Sequence, residues 1–337
     1  MRLRTQGSAF ILTLLLTALS HGQFKNTSYS YFAIGSDKIS YSESLPSFAG
    51  SSFKSELETH ALAQKSGGYT AIAEDSAFGF FIASQSTLIA AEGDEDWNAT
   101  WDGGSAKTVQ TDQASINQAN LDLLATYHLK NGFFITAGMH YQKISFTRFD
   151  FSSTNNTTEF SDYTLDNSTT YQTLKDEIEN GDGTATVGGV DYTTDEDLRN
   201  ALRFSPEELT PVVAEDLTAF NIVGGIGYDS FFIDRTPGMR YKFHFNMGTP
   251  LYLNVLNTNV GGTDRSLSEV LSGGIDLSAN AAMGYQFSEK VSVMASLSMT
   301  HTERKSISVT NSVGQKISLP DNEFTAITPE IAFFWAF

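Results

Sequence analysis

The chain has no cysteine, few basic residues and, beyond its N-terminal end, no long apolar run. Without cysteine there are no disulfides, thiolate metal sites, cysteine nucleophiles or lipid-modified N-terminal cysteine. Lys and Arg number 21 against 39 Asp and Glu, a formal net charge of −18. That balance excludes nucleic acid as a partner, because phosphate binding needs clustered basic side chains. A transmembrane helix needs about 18–20 consecutive apolar residues, and no segment after the first supplies them. The 337 residues would suit two soluble domains or one large all-β unit.

What is present is alternation. From Ile327 to the end, one row holds Ile327, Pro329, Ile331, Phe333, Trp335 and Phe337, and the other holds Thr328, Glu330, Ala332, Phe334 and Ala336. A period of two is a strand. A row this rich in rings suits a strand with hydrocarbon on one side and a polar lumen on the other. In a window average the two rows cancel, so the mean hydropathy of −0.19 is compatible with a membrane barrel.

The pattern recurs. Ile275 to Phe287 and Val291 to Met299 alternate around the turn Ser288-Glu289-Lys290. Ala119 to Leu129 and Phe133 to Tyr141 alternate around Lys130-Asn131-Gly132, where Asn-Gly is a strong hairpin signal. Phe220 to Tyr228 and Met239 to Met247 follow, the latter continuing through Leu251, Leu253 and Val255 past a bulge or strand end at Pro250. Earlier strands are read over Tyr29–Ser42, Phe53–Ala63 and Ser76–Ala91, with Gly67, Gly68 and Glu74-Asp75 able to hide a further turn. The expected fold is all-β, a single antiparallel transmembrane barrel of about ten strands, with twelve as the alternative.

Connections sort by length. Lys130–Gly132, Ser288–Lys290 and Phe231–Gly238 are short. Glu92–Lys107, Phe151–Glu215, Asn257–Ser272 and Ile307–Asn322 are long. Short turns on one side and long loops on the other mark an outer-membrane barrel. The Phe151–Glu215 insertion opens on a Ser/Thr/Asn-rich stretch, Ser152 to Thr173. It then carries two helix signals, Thr194 with Asp197 running to about Arg203, and Ser205-Pro206 with Glu208. Arg2 and Arg4, the apolar run Ala9–Leu19 and Ser20-His21-Gly22 read as a signal peptide over 1–22, leaving 23–337 as the barrel.

Candidate chemistry is thin. Asp94, Asp96, Asn98, Thr100 and Asp102 have the odd-position spacing of a calcium loop, but Ala99 replaces the turn glycine and Ser105 the bidentate acid. The reading is a solvated acidic loop, with no metal and no cofactor. Asn-x-Ser/Thr triplets at Asn26, Asn98, Asn155, Asn156 and Asn167 are read as polar loop composition. Polar rows assigned to the lumen are Glu56, Glu58 and His60 beside Lys54; Asp122, His128 and His140; Arg240, Lys242 and His244; and Asp276 and Glu330. Acids and bases on facing strands would fill a barrel of this width or line a narrow path. His128, His140 and Asp122 lack a serine in a recognisable motif, so no catalytic residue is assigned and no enzyme is expected.

Taken together, the leader, the alternating strands from Ala119 and the terminal Phe337 resemble a Gram-negative outer-membrane β-barrel. The architecture is similar to the solitary autotransporter barrels, without a passenger domain. The resemblance implies an outer-membrane location and contact with its lipid and lipopolysaccharide. It also implies periplasmic chaperones as partners and a terminal strand, with Phe333, Trp335 and Phe337, that is read by the barrel-assembly machinery. The patterns of outer-membrane phospholipases and omptin proteases are missing. The role expected is structural or surface-interacting, with a narrow pore for small solutes as the alternative and a hydrolase third.

Overall fold

The computed structural model describes residues 28–48, 51–73, 76–204, 214–258, 264–270, 273–306, 308–310, 316–318 and 320–337. The leader, the Glu74-Asp75 pair and the Ser205-Pro206 helix signal lie outside them. Twelve strands share the main sheet: β1 (Tyr29–Phe48), β2 (Ser51–Ala71), β3 (Phe78–Thr87), β4 (Ala91–Thr100), β5 (Lys107–His128), β6 (Phe133–Ser153), β9 (Ala214–Asp229), β10 (Gly238–Thr258), β11 (Asp264–Val270), β12 (Gly274–Gln286), β13 (Val291–Arg304) and β16 (Asp321–Ala336). They close a ring of ten in the order β1-β16-β13-β12-β10-β9-β6-β5-β3-β2, with β1 paired to both β16 and β2. Both counts read from the sequence have a physical basis. β4 continues β3 end to end, since β2 and β5 pair with both, and β11 prolongs the β12 side along β10. Two staves are each broken into two pieces.

All pairings are antiparallel, and the termini meet, with Tyr29 opposite Ala336. This is the geometry of an even-stranded barrel. Along each stave one row points in and the other out. The outward row carries Phe32, Ile34, Phe80, Ile82, Leu123, Ile135, Met139, Ile222, Ile226, Phe243, Met283, Leu297, Ile331 and Phe333, all substantially exposed. Leaving one such side chain in water forgoes about 1.5–3 kcal/mol relative to burial, so a belt of them on every stave of the ring but β2 requires hydrocarbon around it.

The turns follow the sequence signals at the narrow end. Lys130–Gly132 is a 3-10 turn with Asn131 at φ 63° and Gly132 at φ 80°, left-handed values that Asn and Gly adopt most readily. Gly67 and Gly68 make no turn; β2 runs through both in register with Tyr31 and Ser30. At the wide end the loops are shorter than expected because the strands run on well beyond the apolar belt. Asp94, Asp96 and Asn98 lie on β4 rather than in a loop, facing outward, and so cannot wrap a cation. At Pro250 the β9–β10 register shifts. Below it the even-numbered Arg240, Lys242 and Asn246 are buried, and above it the odd-numbered Leu253, Val255 and Asn257. The bulge flips the row facing the lumen, as one extra residue must.

Between β6 and β9 the chain folds into a headpiece of α1 (Thr157–Asp166), α2 (Thr169–Asn180), the hairpin β7 (Ala185–Val187) and β8 (Val190–Tyr192), and α3 (Asp195–Leu202). Thr194 caps α3 by accepting from the Asp197 N–H, and Asp195, Glu196 and Asp197 load its first turn with negative charge, which favours the positive end of the helix dipole. Ser168 caps α2 in the same way. Two helices thus stand in or overlap the Ser/Thr/Asn-rich stretch, held by Phe160, Leu165 and Tyr171 packed beneath them. A small hairpin of β14 (Ser308–Thr310) and β15 (Lys316–Ser318) lies between β13 and β16.

Candidate functional site

The lumen is filled in layers. At the narrow end, Asp229 accepts from the Phe231 N–H (3.0 Å) and opens a 3-10 turn, Ser230–Phe232, that folds two rings into the barrel mouth. Phe231 meets Tyr29 edge to face at 5.5 Å, and Phe232 lies 5.1 Å from Tyr69 and 4.3 Å from His128. Arg240 is locked among them. Its guanidinium donates to both Asp229 oxygens (3.1 and 2.7 Å) and to Ser292 (2.7 Å), and stands over Phe231 and Phe334 at 4.6 and 4.5 Å. Rings and a paired arginine make a floor.

Above the floor lies a polar layer around a cavity of about 90 Å³. Lys65 pairs with Glu330 at 3.2 Å, and Glu330 also accepts from Ser296 and Ser298. His140 Nδ1 stands 2.7 Å from Asp122, with Nε2 3.8 Å from Asp276. Asn221 donates to Asp276 (2.5 Å), and Asp37 accepts from Gln118 (2.9 Å) and Thr328 (2.5 Å).

Next comes an apolar roof: Ile39, Tyr41, Leu57, Ile116, Ile144, Phe146, Leu217, Leu253, Val255 and Phe324 converge from the strands into one cluster. On it sits a buried charge cluster beyond the apolar belt. Arg148 binds Glu95 with two hydrogen bonds (2.6 and 2.9 Å) and lies 3.3 Å from Glu43, sandwiched between Trp97 (4.8 Å) and Phe146 (4.4 Å). Trp97 donates to Asp112 (3.1 Å) and Tyr41 to Glu43 (2.7 Å). The headpiece closes the top: Phe160 of α1 packs on Phe53 and Trp101, and Asn156 donates to the Thr108 carbonyl (2.9 Å). Leu165, Tyr171 and Leu198 give the headpiece its own core, tied by a bidentate Arg203–Asp162 pair (2.8 and 2.9 Å) and by Arg199–Asp166 (2.7 Å).

Of the residues assigned to the lumen, Asp122, His128, His140, Arg240, Lys242, His244, Asp276 and Glu330 face it. Glu56, Glu58 and His60 do not: with Lys54 they face outward, Glu58 pairing with Lys38 (3.2 Å) and Glu56 with Lys54 (2.6 Å). Alternation defines two rows but not which is inside. On β2 the inner row is the apolar one, because Phe53, Leu57 and Ala61 fill the roof and the layers above it. The reading missed Arg148. Its signal was the unbroken even row of β6, from His140 through Gln142, Ile144 and Phe146. Phe333, Trp335 and Phe337 are exposed on the outer wall of the terminal strand.

The buried acids of the charge cluster set a pH dependence. Burial, with Glu95 nearby, pushes Asp112 up to about 8; burial, with Glu43 nearby, pushes Glu215 up to about 8. Glu43 is raised too, chiefly by burial. In the unfolded chain such carboxyls ionise near ~4. From there to about pH 8 the folded state holds protons that the unfolded state has released, so stability falls as pH rises through this window and levels off above it. Unfolding midpoints in urea, followed from pH 5 to 9 in lipid vesicles, should therefore decline. The double replacement Asp112→Asn with Glu215→Gln should flatten the profile, and an unchanged slope would refute the assignment.

No known protein family matches the chain, and no curated protein does. Solved structures match in fold. The outer membrane protease OmpT from Escherichia coli superposes with a TM-score of 0.56 over 95% of this chain and 100% of its own, at 10% identity. The transport unit of the autotransporter AIDA-I from Escherichia coli covers 100% of both chains, at a TM-score of 0.34 and 8% identity, too loose an overlap to add to this. The chain has the fold of bacterial outer-membrane β-barrels. With its closed ring and apolar belt it is an integral protein of that membrane.

Proposed function

We propose that this protein is a closed outer-membrane barrel that holds an acidic extracellular headpiece at the cell surface, where the headpiece meets partners. One observation carries the reading: floor, polar layer, roof, charge cluster and headpiece succeed one another along the lumen, and the roof draws apolar side chains from every side of the ring except β12 and β13, where Thr302 and Arg304 are buried instead. A barrel filled in this way supports a structural or interaction role over a path for solutes. It also favours a solitary autotransporter-like barrel that passes no polypeptide through itself. The His140–Asp122 pair lies beneath the roof, out of reach of an external substrate, which supports a non-enzymatic reading. The surroundings proposed are outer-membrane lipid and lipopolysaccharide. The proposed assembly partners are periplasmic chaperones and the barrel-assembly machinery, the latter reading the strand that ends in Phe333, Trp335 and Phe337.

In planar bilayers the purified barrel should give no steady single-channel openings. Sustained conductance would overturn the closed reading and favour a narrow pore. Replacing 156–204 with a short Gly/Ser linker should leave heat-modifiable migration on gels intact and abolish surface binding. A surface phenotype that survives the deletion would refute the role given to the headpiece.

A further inference from the structure

Six acidic or basic side chains line the cavity of the polar layer: Lys65, Asp122, His140, Lys242, His244 and Glu330. Four of them form two pairs. Lys65 stands 3.2 Å from Glu330, and His140 stands 2.7 Å from Asp122. Glu330 is further occupied by the hydroxyls of Ser296 and Ser298, at 2.8 and 3.1 Å. Lys242 and His244 remain. Both are basic, and neither has an acid within 4.0 Å among the described residues. The neighbouring layers supply none. Asp229 of the floor is held by Arg240. Asp37 is not part of the cavity wall and accepts from Gln85, Gln118 and Thr328. Lys242 is 8% exposed, and its ammonium has no hydrogen-bond partner among the described residues. Its Nζ lies 5.7, 5.4, 5.2 and 5.5 Å from the ring centres of Tyr29, Tyr31, Phe81 and Phe334. Ring faces attract a cation but are not the strong acceptors that its N–H groups find in water. A buried charge left in this way is costly unless something pairs with it.

We propose that this cavity is a binding site for a small monovalent anion such as chloride, with Lys242 as its counter-charge. The sign follows from the pairing: both acids on the wall are engaged, and the groups left over are basic. The size follows from the volume. About 90 Å³ holds about three bodies the size of water, so a halide with its remaining water fits and a larger organic anion does not. A polyvalent oxyanion would bring more charge than one ammonium balances, and water alone would leave the ammonium without a counter-charge. The way in is the polar side of the roof. Thr302 and Arg304 of β13 are buried where other staves supply apolar side chains. Arg304 lies 4.0 Å from Asp276 and donates to Gln142 (2.8 Å), and it also lines a shallow crevice with Lys305 and Asn322. The floor closes the other end, so the site is a dead end and adds no conductance.

Bromide is the probe. The full barrel is unfolded in urea in lipid vesicles, at constant ionic strength, with bromide replacing gluconate. The unfolding equilibrium constant should fall about tenfold as bromide rises from about 10 to about 100 mM, the proportion expected of a filled site. Lys242→Met should lose that dependence, while its unbranched stem and sulfur still pack among the rings. A wild-type profile that does not move with bromide, or one that moves equally in Lys242→Met, would overturn the proposal. In crystals grown in bromide, anomalous scattering should mark one ion in the cavity beside the Lys242 Nζ. Water alone at that place, or bromide on the outer surface only, would overturn it as well. Should Lys242→Met fail to fold, the wild-type crystals still decide.

Discussion

Replacing Arg148 with methionine should destabilise the barrel by about 3–5 kcal/mol, the usual cost of removing one partner from a buried ion pair. The guanidinium is almost wholly buried and is gripped by Glu95 and Glu43, themselves buried. Methionine would fill much of the space between Trp97 and Phe146 but leave two carboxyls without their cation. The loss should fall mainly on the unpaired acids, so adding Glu43→Gln and Glu95→Gln should recover a large part of it. Urea unfolding in lipid vesicles, read by tryptophan fluorescence, is well placed to see this, because Trp97 and Trp101 sit in the layer above. A change below about 1 kcal/mol, the range of exposed pairs, would mean that water reaches the cluster and the lumen is open from above.

Ile331→Arg should cost about 2–4 kcal/mol, the penalty for a cation facing lipid near the midplane of a barrel wall. Ile331 is 56% exposed and lies on the outer row of β16, between Ile34 of β1 and Ala295 of β13. The control is Glu323→Arg on the same strand, beyond the belt, where a surface substitution should stay within about 0.5 kcal/mol. The contrast tests the environment rather than the fold, since both sites are strand positions on one wall. Equal effects would place water, not hydrocarbon, around Ile331.

Much of the architecture was legible because barrel staves from Ala119 onward follow one rule, large apolar residues on one row and small or polar ones on the other. Asn131-Gly132 announced its turn, and Thr194 with Asp197 announced α3. The rule failed on β2, where the polar row is outside. Period two carries no information about which side is the lumen. It failed again on β4, where Glu95 and Trp97 lie buried within a stretch of acids that reads as solvated loop. Strands that outrun the membrane carry no greasy row to advertise them. The layers inside were hidden for a different reason. The floor joins Tyr29, Tyr69, Phe231 and Phe334, and the charge cluster joins Glu43, Glu95 and Arg148. Such groupings come from ring closure, which no local window contains.

The Thr328 hydroxyl reaches Asp37 across 291 positions of chain, and β1 rests along its length on β16, the last of the described strands. Contacts so remote in sequence cannot reward the chain until nearly all of it is present, and folding rates fall steeply with such separation. On that edge β1 must wait, with Phe32 and Ile34 bare, for a partner far along the chain. Its own neighbour β2 can pair with it early, because only two residues divide them. The β1–β2 hairpin thus carries the polar outer row of β2, a portion of the wall able to tolerate water before the ring closes.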